Sequence, residues 1–260
     1  MPALRIERDG SVLRVTLARP ERRNAFDAGL IAELAAAFAA ETVRDARAVV
    51  LSGEGESFCA GADVEWQRSS IDLTYDENVA DATRLLRMLE AIDECPAPVV
   101  CRVHGFALGG GSGLVACADA VVAGPDAVFG FTEVKLGIVP AVISPFVLAR
   151  IGSSARRLFT TGERFDAETA LRIGLVDEVA DDAEAATDRL VAEILRSGPS
   201  AAREAKRLVL APIPREELPH LAARMRTGDE GQEGLRAFLE RRAAAGADGE
   251  WGIFAARDGS

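Results

Sequence analysis

Three short, almost wholly apolar runs separated by segments of helical periodicity constrain the fold of this 260-residue chain more than any other feature. The runs are RAVVLS (47–52), PVVCRV (98–103) and AVVA (120–123). Apolar runs of this length are typical of strands buried on both faces of a parallel sheet. Parallel neighbours need a crossover connection, usually a helix. The sequence therefore predicts an α/β fold built from crossover units.

The segments around these runs supply the other elements. Apolar residues at helical spacing predict helices over 27–43, 63–70 and 77–94, and Asp27 is a suitable N-terminal cap for the first. Alternating apolar residues on either side of an Asp-Gly-Ser turn predict a hairpin over 4–17. We therefore expect a hairpin followed by alternating strands and helices.

The chain changes character at Gly198-Pro199, which interrupts a mostly helical stretch. Three further helices are predicted over 200–245. This segment has many charges and too few apolar residues for a core of its own, so we expect it to pack on the main domain or on another subunit. The predicted division is a core at 1–198 and a helical region at 199–260, ending in a ragged tail from 246.

Composition argues against several functional classes. Thirty basic against 41 acidic residues give a net charge of −11, which repels the phosphate backbone of nucleic acids. The four cysteines form no Cys-x-x-Cys pair and there are only two histidines, so no metal site or disulfide framework is expected. The sequence has neither a membrane-length apolar run nor a secretory signal. We expect a protein of the reducing cytoplasm with no nucleic-acid or membrane partner.

Two glycine-rich turns, at 59–63 and 107–113, each follow an apolar strand and open a helix. Glycine allows a ligand to approach the main chain closely, and a helix N-terminus leaves N–H donors unpaired. Two N–H groups converging on one oxygen would form an oxyanion hole. From the turns alone, tight packing of strand against helix is an equally good interpretation.

Known loop motifs do not fit the second turn. A dinucleotide-binding loop would need glycine at Leu114, a phosphate-binding P-loop would need Gly-Lys-Ser/Thr, and a nucleophile elbow would need Gly-x-Ser-x-Gly. His104, at a predicted strand end, is expected to be structural.

Glu133 lies between two apolar stretches, in FGFTE. Partial burial there would raise the pKa of its carboxyl group and suit it to proton transfer. On spacing alone, a surface glutamate or a helix-cap partner is the commoner interpretation.

Taken together, five segments resemble the crotonase (enoyl-CoA hydratase/isomerase) superfamily in order and spacing. They are RPERRNAF, FCAGAD, HGFALGGG, FGFTEVKLGIVP and EGLRAFLERR. GADVEW and LGIVPAVISPFV are similar to the bacterial methylglutaconyl-CoA hydratase-like branch. The resemblance implies a spiral of strand-strand-helix turns with a C-terminal helical trimerisation region. It also implies a homotrimer or a dimer of trimers.

The resemblance also implies roles for individual residues. The N–H groups of Ala62 and Gly110 would hold the oxygen of an acyl-CoA thioester, and Glu133 would be a catalytic acid/base. Phe238 and Arg241 would reach the CoA of a neighbouring subunit. The full set of implied substrate-binding residues is Arg22, Asn24, Ala25, Ala60, Gly61, Asp63, Gly109, Phe238 and Arg241.

One position departs from the family pattern, because typical hydratases carry a second glutamate where this chain has Gly113. We expect a hydratase acting on a short or branched 2-enoyl-CoA, with the thioester as substrate and no cofactor. The alternatives are a Δ3,Δ2-enoyl-CoA isomerase with one glutamate base and a non-catalytic acyl-CoA-binding trimer. Acyl specificity is expected to depend on residues 66–90 and 138–146.

Overall fold

The computed structural model describes residues 3–247 and 249–255. The strands are β1 (Leu4–Asp9), β2 (Val12–Leu17), β3 (Ala48–Gly53), β4 (Val99–Val103), β5 (Phe106–Leu108), β6 (Ala120–Ala123), β7 (Val128–Gly130), β8 (Arg164–Asp166), β9 (Glu178–Val179), β10 (Ala244–Gly246) and β11 (Gly249–Trp251). The α-helices are α1 (Ala28–Ala39), α2 (Glu41–Arg44), α3 (Val64–Ser70), α4 (Tyr75–Asp93), α5 (Gly110–Ala116), α6 (Ser144–Ile151), α7 (Ala155–Thr161), α8 (Ala167–Ile173), α9 (Ala183–Leu195), α10 (Pro199–Leu210), α11 (Leu218–Thr227) and α12 (Asp229–Glu240).

The largest sheet has six strands in the order β1-β2-β3-β4-β6-β9. The β1–β2 pair is the antiparallel hairpin, and the other neighbours are parallel. Every residue of β3 is buried, and its side chains alternate between two hydrophobic clusters. Val49 belongs to the cluster that includes α1 and α4, whereas Val50 packs with Val191 of α9. Helices thus cover both faces, which confirms the predicted α/β crossover class.

A second sheet, in the order β5-β7-β8, brings the two glycine-rich turns together. An isolated bridge between Cys59 and Ala107 attaches the first turn to β5. At the other end of β5, the Gly109 N–H donates to the Gly130 carbonyl over 2.8 Å. The sequence does not predict β8, since a three-residue strand with one buried side chain carries too little periodicity to be recognised.

Helix α4 is the longest helix of the described chain and packs against α1. Its N-terminus is a capping box, in which the Thr74 hydroxyl accepts from the Glu77 N–H and the Glu77 carboxylate accepts from the Thr74 N–H. The helix therefore begins at Tyr75, two residues before the predicted start. Helix α1 ends earlier than expected, at Ala39, and α2 follows as a separate turn.

The C-terminal region contains the three predicted helices, α10 to α12, and contacts the core. Lys206 of α10 is buried and its Nζ lies 2.7 Å from an Asp119 carboxylate oxygen. The predicted ragged tail is wrong for residues 246–247 and 249–255, because β10 and β11 pair and Trp251 is buried against α12. Residues 256–260 lie outside the described chain. In the described ranges, no helix combines the length and apolar character that spanning a bilayer requires.

Candidate active site

A cavity of about 480 Å³ lies where the two glycine-rich turns meet. One wall comes from α3 and α4, another from the loop that follows Glu133, and the floor from the turns themselves. The two segments expected to set acyl specificity both contribute to it. The lining residues are Phe26, Ala60, Gly61, Ala62, Trp66, Gln67, Ser70, Asn78, Ala82, Leu85, Leu108, Gly109, Gly110, Thr132, Glu133, Leu136, Ile138, Val139, Pro140, Ala141, Val142, Ile143 and Arg164.

Ala62 of the first turn lines this cavity. Phe26 and Ala62 form a parallel bridge, in which the Phe26 N–H donates to the Gly61 carbonyl and the Asp63 N–H donates to the Phe26 carbonyl, both over 2.7 Å. Both bonds are made by the neighbours of Ala62. In an extended chain the backbone N–H and C=O groups of successive residues point to opposite sides, so the Ala62 N–H faces away from Phe26.

The second turn presents the Gly110 amide. Gly110 is the first residue of α5, so its N–H has no partner within the helix. The preceding Gly109 has φ +53° and ψ −120°, a conformation that favours glycine. At Gly110 a Cβ would lie 2.7 Å from the Phe26 ring, so only glycine fits. Within the described chain, neither the Ala62 nor the Gly110 N–H donates to a protein acceptor.

Glu133 adds a carboxyl group beside these amides. It lies in the 3-10 helix Thr132–Leu136, directly after the second sheet. Its Oε1 would lie 3.4 Å from a Cβ placed on Gly109. Its Oε2 is buried with no hydrogen-bond partner, and burial raises the pKa of the group. The site thus holds a carboxyl group poised to exchange a proton and still free to bond to a ligand.

The cavity has a single carboxylate among the described residues. A Cβ on Gly113 would lie 2.4 Å from Cγ2 of Ile143, so an isoleucine side chain occupies the space in front of Gly113. Neither Asp63 nor Glu65 lines the cavity. Glu65 instead pairs with Arg68 on the exposed surface of α3. Glu133 therefore has no acidic partner across the cavity.

Comparison with known proteins gives the site its context. Residues 7–248 match the family described as enoyl-CoA hydratase/isomerase. The chain belongs to this family. The cyclohexa-1,5-dienecarbonyl-CoA hydratase of Thauera aromatica is 34% identical over 251 residues, which cover 92% of this chain and 94% of the relative. The protein is accordingly an enzyme of the crotonase superfamily.

Solved structures of other proteins have the same fold as this chain. An enoyl-CoA hydratase from Shewanella pealeana has a TM-score of 0.86 and 36% identity, covering 92% of this chain and 94% of its own. Pseudomonas aeruginosa AtuE has a TM-score of 0.88 and 37% identity, covering 92% of this chain and 97% of its own. The fold is therefore the crotonase fold predicted from the sequence motifs.

Other residues implied by the family resemblance have structural partners. The Asp63 carboxylate accepts from the Glu65 N–H and caps α3. The buried Asn24 amide donates to the carbonyls of Glu54 and Ser57. Neither residue lines the cavity, nor does Ala25. Their substrate-binding roles remain predictions, and their visible function is to fix the loops around the first turn.

The outermost implied residues lie away from this cavity. Arg22 is exposed in the 3-10 turn Pro20–Arg22. Phe238 is half-exposed, stacks on Phe254 at 6.2 Å and lines a separate C-terminal cavity of about 440 Å³. Arg241 follows α12 as its C-cap. Within one chain, Phe238 and Arg241 do not line the cavity that contains Glu133. Their predicted contact with CoA would therefore require a neighbouring subunit.

Sequence reasoning missed one lining residue, Arg164, and one contact made by Ile143, a residue of the stretch expected to set acyl specificity. Ile143 faces Gly113 from 30 positions away along the chain, and Arg164 enters the cavity from the unpredicted strand β8. Arg164 belongs to no motif, and the contact between Ile143 and Gly113 joins two distant segments, so only the tertiary structure could reveal either. His104 is structural as expected, with its Nε2 2.8 Å from the Gly55 carbonyl. No group of three or more potential metal ligands occurs among the described residues, and all four cysteines are buried free thiols.

Proposed function

We propose that this enzyme catalyses the reversible addition of water to a short or branched 2-enoyl-CoA, with 3-methylglutaconyl-CoA among the candidate substrates. One observation carries the proposal: two unpaired backbone N–H groups and a buried, unpartnered carboxyl oxygen line the same cavity. The hydratase name of the Thauera aromatica relative supports the same chemistry.

In this proposal the Ala62 and Gly110 N–H groups bind the thioester carbonyl oxygen. Their hydrogen bonds withdraw electrons from the conjugated double bond and strengthen as negative charge develops on that oxygen. Loss of one such donor typically costs about 3–4 kcal/mol in the barrier. The thioester is itself the electron sink, so the proposed reaction needs no metal or redox cofactor.

Glu133 moves the proton. Its ionised carboxylate accepts a proton from water while the water oxygen bonds to C3 and the electron pair of the double bond moves to the thioester oxygen. The protonated carboxyl group then returns this proton to C2 as the carbonyl reforms. Because one carboxyl group serves both steps, oxygen and hydrogen are added to the same face.

The CoA portion is proposed to extend past Ala60 and the loop at 22–25. Ala60 lines the cavity, and Arg22 is an exposed cation on that loop. Phe238 and Arg241 would complete the binding site from a neighbouring subunit of a homotrimer or a dimer of trimers. We propose a cytoplasmic location, where acyl-CoA thioesters would be available.

Hydration is tested by the loss of enoyl absorbance with crotonyl-CoA and 3-methylglutaconyl-CoA. Glu133→Gln retains the size of the side chain but cannot accept the proton, so kcat should fall by at least about 100-fold. Glu65→Gln, on the exposed surface of α3, is the matched control and should retain activity. Unchanged turnover in Glu133→Gln would exclude the assigned role.

The isomerase is the second candidate, because Ile143 faces Gly113 and leaves Glu133 as the single carboxylate of the cavity. One base can move a proton between C2 and C4 without adding water. Conversion of a 3-enoyl-CoA into a conjugated 2-enoyl-CoA, with no 3-hydroxy product, would favour this reaction. Tight acyl-CoA binding without turnover on either substrate would instead indicate the non-catalytic alternative.

A further inference from the structure

Arg164 is the one positively charged side chain that lines the cavity among the described residues. It belongs to β8, whose Arg164 lies opposite Gly130 of β7 in the antiparallel register. In a chain of net charge −11, a cation in an otherwise mostly apolar cavity calls for a physical explanation.

The side chain of Arg164 is held against the sheet. Its Cγ would lie 3.5 Å from a Cβ placed on Gly130, and its guanidinium carbon lies 5.6 Å from the centre of the Phe106 ring. Such a cation–π contact stabilises a guanidinium group without neutralising its charge. The group is therefore restrained but still available to an anion.

The acids nearest to Arg164 in sequence have other partners. Glu163 pairs with Arg157, and the Asp166 carboxylate accepts from the Thr169 N–H at the start of α8. No ion pair joins Arg164 to an acid of the described chain. The hydroxyl of Thr132, whose methyl group packs over Gly130 beside the Arg164 side chain, is likewise without a hydrogen-bond partner in the described ranges.

The sheet order places β8, which carries Arg164, and the turn that contains Ala60 on opposite edges of β5. The turn that contains Ala60 is attached to β5 by the Cys59–Ala107 bridge, and β7 and then β8 lie beyond β5. Two strand spacings, or about 10 Å, separate the backbones of β5 and β8, and the Arg164 side chain extends back across β7 towards Phe106 of β5. The loop at 22–25 is attached still farther away, to the first turn, through the bridge between Phe26 and Ala62.

We propose that Arg164 binds a carboxylate carried by the acyl group, so that the cavity selects monothioesters of dicarboxylic acids over plain fatty acyl thioesters. The inference rests on the proposed function insofar as an acyl-CoA occupies this cavity. A guanidinium group can bind a carboxylate through two parallel hydrogen bonds. Against the apolar walls formed by Ile138, Val139 and Val142, the same carboxylate would lose hydration without compensation.

The test compares two non-reacting ligands that differ only at the far end of the acyl chain, glutaryl-CoA with a carboxylate and pentanoyl-CoA with a methyl group. Isothermal titration calorimetry measures the affinity of each ligand for the wild type, for Arg164→Gln and for Arg164→Lys. A hydrogen-bonded charge pair is worth about 1.5–3 kcal/mol, so Arg164→Gln should weaken glutaryl-CoA binding by about 10- to 100-fold. Pentanoyl-CoA binding should change less than about threefold, and Arg164→Lys should restore part of the selectivity.

The control variant is Arg172→Gln, on α8 outside the cavity, which should bind both thioesters like the wild type. If Arg164→Gln weakens the binding of both ligands equally, the arginine binds the CoA portion that they share, and the inference is overturned. Unchanged binding of both would overturn it as well. Since neither ligand reacts, this result is independent of hydration: absence of turnover in the wild type would reject the proposed reaction without deciding the role of Arg164.

Discussion

At the residue scale, the environment of Glu133 determines how its chemistry depends on pH. Its carboxyl group is partly buried, and one oxygen lacks a protein partner. Burial disfavours the charged form and raises the pKa. The carboxylate required as a base is therefore lost at a higher pH than for an exposed glutamate.

We predict that kcat/KM for hydration falls as the pH decreases through this raised pKa. The acidic limb of the profile should therefore lie above the ordinary pKa of glutamate, because the free enzyme must hold Glu133 ionised. The measurement is kcat/KM for crotonyl-CoA over a pH series. Any residual activity of Glu133→Gln should not show the fall at acidic pH. A limb at the ordinary glutamate value would contradict a desolvated base.

Gly113 gives a second prediction at this scale. Gly113→Glu, which would introduce a second carboxyl group, should not increase hydration, because its Cβ would lie 2.4 Å from Cγ2 of Ile143. Overpacking alone costs about 1–3 kcal/mol, which urea unfolding would measure. In an Ile143→Ala background the same substitution should cost less. A faster enzyme of unchanged stability would show that Ile143 does not restrict this space.

Several residues singled out by the motifs line one cavity, for a physical reason. Glycine turns and a carboxylate after a strand are local features, so the sequence around Gly110 and Glu133 contains the information. The contact between Gly113 and Ile143 depends on how α5 meets the loop before α6. Arg164 reaches the cavity only through strand pairing, which no local pattern specifies.

At the scale of elements, Arg19 connects the loops that hold the first turn. Its guanidinium group donates to the Ala25 carbonyl over 2.8 Å and lies 2.7 Å from an Asp27 carboxylate oxygen. It also lies 3.5 Å from Asp63, which caps α3 directly after Ala62. Arg19 therefore supports both chain segments of the Phe26–Ala62 bridge.

We predict that Arg19→Met lowers the free energy of unfolding by about 1.5–3 kcal/mol, since bonds to charged groups are lost. It should lower kcat more than it raises KM, because the displaced Ala62 amide acts on the reacting carbonyl. Stability and steady-state kinetics give both quantities. A change in KM alone would contradict a positioning role.

Arg14→Met is the control for this substitution. Arg14 pairs with Asp188 at 2.8 Å, and both side chains are more exposed than those of Arg19 and Asp63. A surface pair of this kind contributes at most about 1 kcal/mol. Kinetic constants should match those of the wild type.

The sequence predicts helices and strands correctly where hydrophobicity alone determines the secondary structure. Strands β3, β4 and β6 were predicted because their residues are almost all buried. The start of α4 was displaced because a capping box, rather than the first apolar residue, sets its N-terminus. The hairpin β10–β11 was missed because its stability depends on Trp251 packing against distant Gly234.

At the scale of the whole molecule, the C-terminal helices expose large apolar side chains. Val209 is 85% and Leu239 is 78% exposed, and Leu208 and Leu235 are also exposed. When exposed apolar side chains adjoin one another, such a surface is typical of protein–protein interfaces. The expected homotrimer or dimer of trimers would bury it.

We predict that light scattering gives the mass of a trimer or a hexamer, and that Leu239→Arg shifts the protein towards monomer. Leu171→Arg, at an exposed position on α8, should leave the assembly unchanged. If the wild type is a monomer at micromolar concentration, the proposed contribution of Phe238 and Arg241 to a neighbouring site is excluded.

The two tryptophans of the chain, Trp66 and Trp251, occupy separate regions. Trp66 lines the cavity that contains Glu133, whereas Trp251 is buried against α12. Indole emission depends on the polarity around the ring, and replacing either residue with phenylalanine leaves a single tryptophan. Arrival of a thioester and loosening of the C-terminal region would then give distinguishable optical signals, without an added dye.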